Sequence, residues 1–222
     1  MIPLRDINPH RTTPFINYII IGGNVIIFLF QFLLSKHYEQ IIYTFGIVPV
    51  RLMTDVQTFN FDTMTFLPLF TSMFMHGGWL HLIGNMLFLY VFGDNIEDRL
   101  GHLRYLLFYL LAGLGAAFTQ IFINPVSQIP MVGASGAIAG VLGAYILLFP
   151  TARILTLIPI FFFIQLVELP AYLFLGIWFI MQLVSGMLSL GIGADAGGVA
   201  WWAHIGGFAT GAVLLVFLKR RR

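Results

Sequence analysis

Long apolar runs broken by short polar stretches set the pattern of this 222-residue chain. A helix that crosses a hydrocarbon core about 30 Å thick needs roughly 20 apolar residues. Six runs reach or approach that length: residues 15–34, 74–92, 105–123, 135–149, 169–188 and 200–218. Residues 105–152 contain no Asp, Glu, Lys or Arg. The pattern predicts an all-α polytopic membrane protein, a single six-span bundle over residues 1–222 with no internal repeat and no second domain. Two connections stand out. Residues 35–73 mix Lys36, Glu39, Arg51, Asp55 and Asp62 with Phe45, Ile47, Val48, Phe59, Phe61 and Phe66, so this loop is expected to fold back onto the bilayer surface. Residues 154–167 are apolar but only 14 long, with Pro159 inside and Arg153 and Glu168 at the edges. That is too short to span and predicts an interfacial segment.

Composition agrees. The chain is 59% hydrophobic and 9% charged, with a mean hydropathy of +0.92, where soluble domains carry about a quarter of their residues charged. The sequence pI near 9.0 invites a nucleic-acid partner, but the net charge is only +2 and the basic residues sit at span ends. They read as topology signals, and no nucleic-acid partner is expected. There are no cysteines, which excludes disulfides and thiolate chemistry. The first apolar run is too long for a signal-peptide core and no small-residue cleavage site follows it, so it reads as a retained span. With six spans both termini share a side. That side collects nine of the basic residues (Arg5, Arg11, Arg99, Arg104, Arg153, Lys219, Arg220, Arg221 and Arg222), and the other has only Lys36 and Arg51. The imbalance places both termini in the cytoplasm.

On this topology the runs carrying His81 and Asn85, Ser135, and His204 all travel from outside to inside. Each of these residues lies near the start of its run, so all four fall in the outer half of the membrane. Polar side chains at membrane depth are costly unless they face a cavity and act there. From Ser135 to Phe149 a helix rises only about 21 Å, and the preceding linker with Pro125 and Pro130 must dip inward. Non-helical backbone at depth needs a protein-lined or watered cavity, so Ser135 is expected at the bottom of a pocket open to the outside.

A serine hydroxyl is a poor nucleophile until a base takes its proton, and histidine suits that role. Gly207 and Gly211 share the helical face of His204, and Gly136, Gly140 and Gly143 form a stripe on the serine run. Small residues let membrane helices approach closely, so packing along these stripes would bring His204 to Ser135. The bland reading of Ser135 is a helix cap; its shared depth with His204 favours the nucleophile. The nearest acid in sequence, Asp195, is nine residues from His204 in a Gly-rich loop, so a Ser-His dyad is expected rather than a triad, its imidazole oriented by packing and water. Acyl transfer also needs donors for an oxyanion. His81 and Asn85 lie one turn apart on one face, and the Ser135 backbone N–H is a third candidate. Interhelical hydrogen bonding is the bland alternative for His81 and Asn85. His76 is expected nearer the surface in a structural role, its ring bonding loop backbone. A zinc site from His76, His81 and His204 lacks a carboxylate or cysteine and any His-Glu-x-x-His pattern; no metal and no cofactor are expected.

The pattern His76-x4-His81-x3-Asn85, then Gly133-Ala134-Ser135-Gly136, then Ala203-His204-x2-Gly207-x3-Gly211 resembles the rhomboid intramembrane serine proteases. Glu97-Asp98-Arg99-Leu100-Gly101 is similar to the family's turn after its second helix. The resemblance covers about residues 15–218. It implies Ser135 as nucleophile, His204 as general base and then acid, and His81 and Asn85 as oxyanion-hole donors. It implies supporting roles for His76, Gly133, Gly136, Gly207 and Gly211. It also implies a first loop in the outer leaflet, entry gated by the fifth span and last external loop, and transmembrane protein substrates cleaved near their outer ends, often at small residues. Some members carry a tyrosine four residues after the serine that stacks on the histidine. Here that position is Ala139 and Tyr145 is too far along to substitute, so His204 must be held by something else. The chain reads as a minimal, prokaryotic-type member, expected in a bacterial inner membrane with its site opening outward and the lipid bilayer as its environment. Two rival readings are a catalytically silent client-binding relative and a transporter or channel. Retention of both serine and histidine argues against the first; apolar inner halves of the spans argue against the second.

Overall fold

The computed structural model describes residues 1–160, 163–192 and 198–219. Asp195, Arg220, Arg221 and Arg222, used above in the triad and topology arguments, lie outside the described residues. A short strand, β1 (Ile2–Asp6), leads into the helix α1 (Phe15–Leu33). The first long connection then folds as four short helices, α2 (Tyr38–Phe45), α3 (Pro49–Thr58), α4 (Thr63–Phe66) and α5 (Pro68–Thr71). Three helices follow: α6 (Trp79–Leu100), α7 (His102–Ile123) and α8 (Ser135–Leu148). Strands β2 (Arg153–Ile160) and β3 (Phe163–Pro170) precede α9 (Ala171–Ile192) and α10 (Trp201–Leu218).

Four of these helices, α1, α7, α9 and α10, are long and apolar enough to cross a membrane, and the chain is a polytopic integral membrane protein. Helix α6 has 22 residues but ends in Asp94, Glu97, Asp98 and Arg99. It starts five residues later than its apolar run, because Gly77 and Gly78 interrupt the backbone before Trp79. Helix α8 has 14 residues, about 21 Å of rise. Ten of them, Gly136 to Tyr145, are buried, so α8 is the central post around which the others pack.

Glycine lets α10 approach that post at backbone distance. A Cβ on Gly207 would collide with the carbonyl oxygen of Gly136, and one on Gly211 with that of Gly140. In lipid no hydrophobic force drives helices together, so this close van der Waals packing supplies the association. On the far side α8 packs on α6 and α7 through a core that includes Leu89, Phe92, Phe108, Tyr105 and Leu142, none of them exposed. The first connection is anchored by Ile47, Leu52 and Leu69, which pack on Ala117 and Ile121 of α7, and by a bridge between Ile47 and Met131.

Two expectations change. The fold is not all-α, and residues 154–160 and 163–167, expected as one apolar segment, lie in the paired strands β2 and β3, which join β1 in an antiparallel sheet of order β1-β2-β3. Ile154 and Thr156 point inward and are fully buried, while Arg153 and Pro159 are exposed. This is the two-residue alternation of a strand, masked in sequence because apolar residues occupy both faces. Pro159 is tolerated because β1 pairs with β2 only as far as Leu157, so the side of β2 beyond that point has no neighbour needing an N–H.

Glu97 shows how the polar ends of the helices are managed. Its buried carboxylate accepts from the backbone N–H groups of Ile16 (3.0 Å) and Asn17 (2.7 Å) and bonds His102 Nδ1. Pro14 offers no cap to α1, so an acid 80 residues away caps the otherwise unsatisfied first turn.

Candidate active site

Helices α8 and α10 place Ser135 and His204 side by side. His204 Nε2 lies 2.9 Å from Ser135 Oγ. Ser135 is the first residue of α8, and no side chain caps that helix. The hydroxyl therefore does not serve as a cap, and its partner is an imidazole that arrives from 69 residues away along the glycine seam.

Both residues line a cavity of about 1020 Å³, together with His81 and Asn85 from the first two turns of α6. His81 Nδ1 accepts from the Gly77 backbone N–H at 3.3 Å. That bond leaves the ring proton on Nε2, the nitrogen nearest Gly133. Gly133 has φ +129°, and a Cβ there would sit 2.7 Å from His81 Nε2. The Gly133 N–H donates to Ser72 O at 2.9 Å, which holds the loop in this shape. Asn85 is buried, and its Nδ2 has no hydrogen-bond partner among the described residues. A buried amide donor without a partner at a cavity wall is suited to a ligand oxygen. The Ser135 backbone N–H, in the first turn of α8, has no carbonyl within the helix to bond. The residues that carry these three N–H donors and the hydroxyl line the same cavity. That set can accept an attacked carbonyl and hold the charge that develops on its oxygen.

His76 departs from its expected position. It is not near the surface but fully buried, its ring 5.1 Å from that of His81 and edge-on to Phe28. Neither ring nitrogen makes a hydrogen bond of good geometry among the described residues, although the Phe74 backbone lies close enough to act on the ring. Its main chain is clamped instead: Gln31 Oε1 accepts from its N–H at 3.2 Å, and Tyr38 OH donates to its carbonyl at 3.3 Å. His76 therefore shapes the turn that presents His81. No metal-holding group of His, Cys, Asp and Glu side chains occurs among the described residues.

Two contacts of His204, and one of its neighbour Ala203, were not foreseen from the sequence. Gln182 Oε1 of α9 lies 2.7 Å from His204 Nδ1. The Trp178 ring, one turn earlier on α9, flanks the imidazole at 6.0 Å. Gln120 of α7 accepts from the backbone N–H of Ala203 at 3.2 Å. The signal that picked out Ser135, a polar side chain at membrane depth, applies equally to Gln182 and Gln120. Tyr145 is occupied elsewhere, its hydroxyl donating to Asp6.

Residues 63–221 match the family profile described as Rhomboid domain. The chain is 32% identical over 153 residues to RHOMBOID-like protein 1 of Arabidopsis thaliana, covering 68% of this chain and 34% of that protein. It is 34% identical over 88 residues to Rhomboid protein 1, mitochondrial, of Saccharomyces cerevisiae (38% and 25%), and 35% identical over 78 residues to YdcA of Bacillus subtilis (35% and 39%). The chain spans less than half the length of each of these relatives.

Proposed function

The chain belongs to the rhomboid family, and from that membership and the geometry of its cavity we propose that it is an intramembrane serine endopeptidase working through a Ser135–His204 dyad. The observation that carries this is the 2.9 Å contact between His204 Nε2 and Ser135 Oγ at the wall of a large cavity. In the first step Ser135 Oγ attacks the carbonyl carbon of a peptide bond while His204 Nε2 takes the hydroxyl proton. The carbonyl π electrons move onto oxygen, where His81 Nε2–H, Asn85 Nδ2–H and the Ser135 N–H stabilise them. Collapse breaks the C–N bond as His204 returns the proton to the leaving amine. A water activated by the freed imidazole then hydrolyses the acyl-enzyme by the same route in reverse roles.

The substrates are transmembrane segments of other membrane proteins, cleaved near their outer ends. Their helices must unwind locally, because a helical peptide bond is shielded by its own hydrogen bonds. In this reading α6 and α8 cross the membrane with the four long apolar helices, giving a single domain of six spans. Both termini and the sheet lie in the cytoplasm of a bacterial cell, on the side rich in Lys and Arg, and the cavity opens to the outside. The test is cleavage of a reconstituted transmembrane substrate by wild type and Ser135→Ala. Cleavage by the wild type alone is expected. Equal cleavage by both removes the assignment, and none by either favours a client-binding role.

A further inference from the structure

The orientation of His204 is set by a helix that carries neither member of the dyad. Gln182 Oε1 lies 2.7 Å from His204 Nδ1, and Gln182 Nε2 donates to the Trp178 carbonyl, one turn back on α9, at 3.3 Å. The second bond decides what the first one is. With its NH₂ held by a carbonyl, the amide presents only its oxygen to the imidazole, and an amide oxygen only accepts. Nδ1 must then carry the ring proton. In a neutral imidazole that leaves the lone pair on Nε2, the nitrogen 2.9 Å from Ser135 Oγ. Turned over, the amide would set its oxygen against the Trp178 oxygen and offer Nδ1 a donor. The ring proton would move to Nε2, and His204 would have no lone pair for the serine. Gln182 is 4% exposed, so water does not compete for either bond.

Resting on the protease reading above, we propose that Gln182 is the positioning residue of the dyad: it holds His204 in the tautomer that can accept the Ser135 proton. An uncharged partner suits this place. A carboxylate would bind the imidazolium more tightly but must be buried at membrane depth, where an ionised side chain is expensive. No Asp or Glu lines the cavity among the described residues, and the other titratable rings lining it are those of His81 on α6 and Tyr38 on α2. The imidazolium formed during acylation keeps its Nδ1–H bond to the same oxygen, so no reorientation is needed when the proton arrives.

The arrangement also ties the dyad to the docking of α9. Trp178 and Gln182 lie one turn apart on α9, and both contact His204. Farther along, the Trp202 indole N–H of α10 donates to Gly186 O of α9 at 3.2 Å. Much of the rest of α9 is exposed, including Ile180, Met181, Val184 and Met187. Ser135 and His204 are joined through the α8–α10 glycine seam, which does not involve α9. Swinging α9 outward therefore leaves serine and histidine adjacent but removes the group that fixes the tautomer, so the base is competent only while α9 is seated.

The experiment measures cleavage of a transmembrane peptide reporter by the full chain in liposomes, as kcat, KM and a pH profile, for wild type, Gln182→Met and Gln182→Glu. Methionine matches the length of glutamine without a hydrogen-bonding carbonyl; glutamate restores an acceptor. Gln182→Met is expected to lower kcat about 10- to 100-fold with KM nearly unchanged, less than the about 10⁴-fold lost when a triad's buried carboxylate is replaced. Gln182→Glu is expected to recover most of kcat and move the acid limb of the profile to higher pH, because a carboxylate favours the imidazolium. Wild-type kcat and profile in Gln182→Met would overturn the proposal. So would equal losses in both variants, which mark a packing role. If Gln182→Met does not fold, Gln182→Glu decides alone: an acid limb at the wild-type position overturns it. Wild-type protein that neither cleaves nor is labelled at Ser135 by a fluorophosphonate would instead remove the protease reading itself.

Discussion

A side chain at position 133 meets two separate obstacles. Its φ of +129° is one that L residues rarely adopt, and its Cβ would press on His81 Nε2, 2.7 Å away. Gly133→Ala is therefore expected to displace the His81 donor and lower kcat by about 10-fold or more, with a backbone cost of roughly 1–3 kcal/mol; steady-state cleavage and thermal unfolding measure the two effects. Asn85→Ala removes a donor whose amide nitrogen has no protein partner among the described residues. It should lower kcat by about 10²-fold with little loss of stability, since no internal bond of that nitrogen is broken. Equal losses of Tm and activity in that variant would mean that Asn85 holds the bundle. Ser135, His204, His81 and Asn85 are legible in sequence because polarity inside an apolar run is a local property. The tautomers of the two histidines are not. They depend on the Gly77 N–H and the Gln182 oxygen, which only folding brings into range.

Among the elements, the α8–α10 seam is the joint on which the site depends. Gly211 faces the Gly140 carbonyl with no room for a methyl group, whereas a Cβ on Gly22 of α1 would meet nothing within 4 Å. Gly211→Ala is expected to destabilise by about 1–3 kcal/mol, as overpacking does, and to separate Ser135 from His204 with a large loss of activity. Gly22→Ala, half-buried but with open space where its Cβ would sit, is expected to be neutral or slightly stabilising. Thermal unfolding in detergent with parallel activity assays compares them. An active, fully stable Gly211→Ala would show that the helices do not need this approach. The six longest helices were readable to within a few residues, except that α6 starts late and runs eight residues further, to Leu100, than its apolar run; the short helices α2 to α5 of the first connection were not. The polar end of α6 carries Glu97, and its reason for being buried, the capping of α1, is a contact between distant parts of the chain.

At the scale of the whole molecule, the N-terminal strand is tied to the helical bundle through Asp6. Its carboxylate accepts from Asn95 of α6 at 2.9 Å and from the Tyr145 hydroxyl of α8. Burial pushes the Asp6 carboxyl up from 3.8 to about 6; the Tyr145 bond opposes this and the neighbouring Asp94 adds to it. Between those two values the folded protein binds more protons at Asp6 than the unfolded chain does, so Asp6 lowers stability as pH rises from about 4 to 6. Asn cannot lose that proton. Asp6→Asn should therefore gain in Tm relative to wild type as pH is raised across this window, and a constant difference between the two would contradict the burial of the charge.

Hydropathy sums over neighbours in the chain, so the membrane-crossing runs, the balance of basic residues and the isolated polar groups could all be read from residue order. The sheet could not. Strand pairing joins residues 2–6 to residues 154–157, and a hairpin that is apolar on both faces has no alternation to betray it. Nor could the partner of the imidazole be found, because a lone glutamine in an apolar helix looks the same whether it faces lipid, a neighbour or a base. Chain order supplies which chemistry is present; the packing of α8, α9 and α10 decides which nitrogen holds the proton, because hydrogen-bond direction depends on three-dimensional approach.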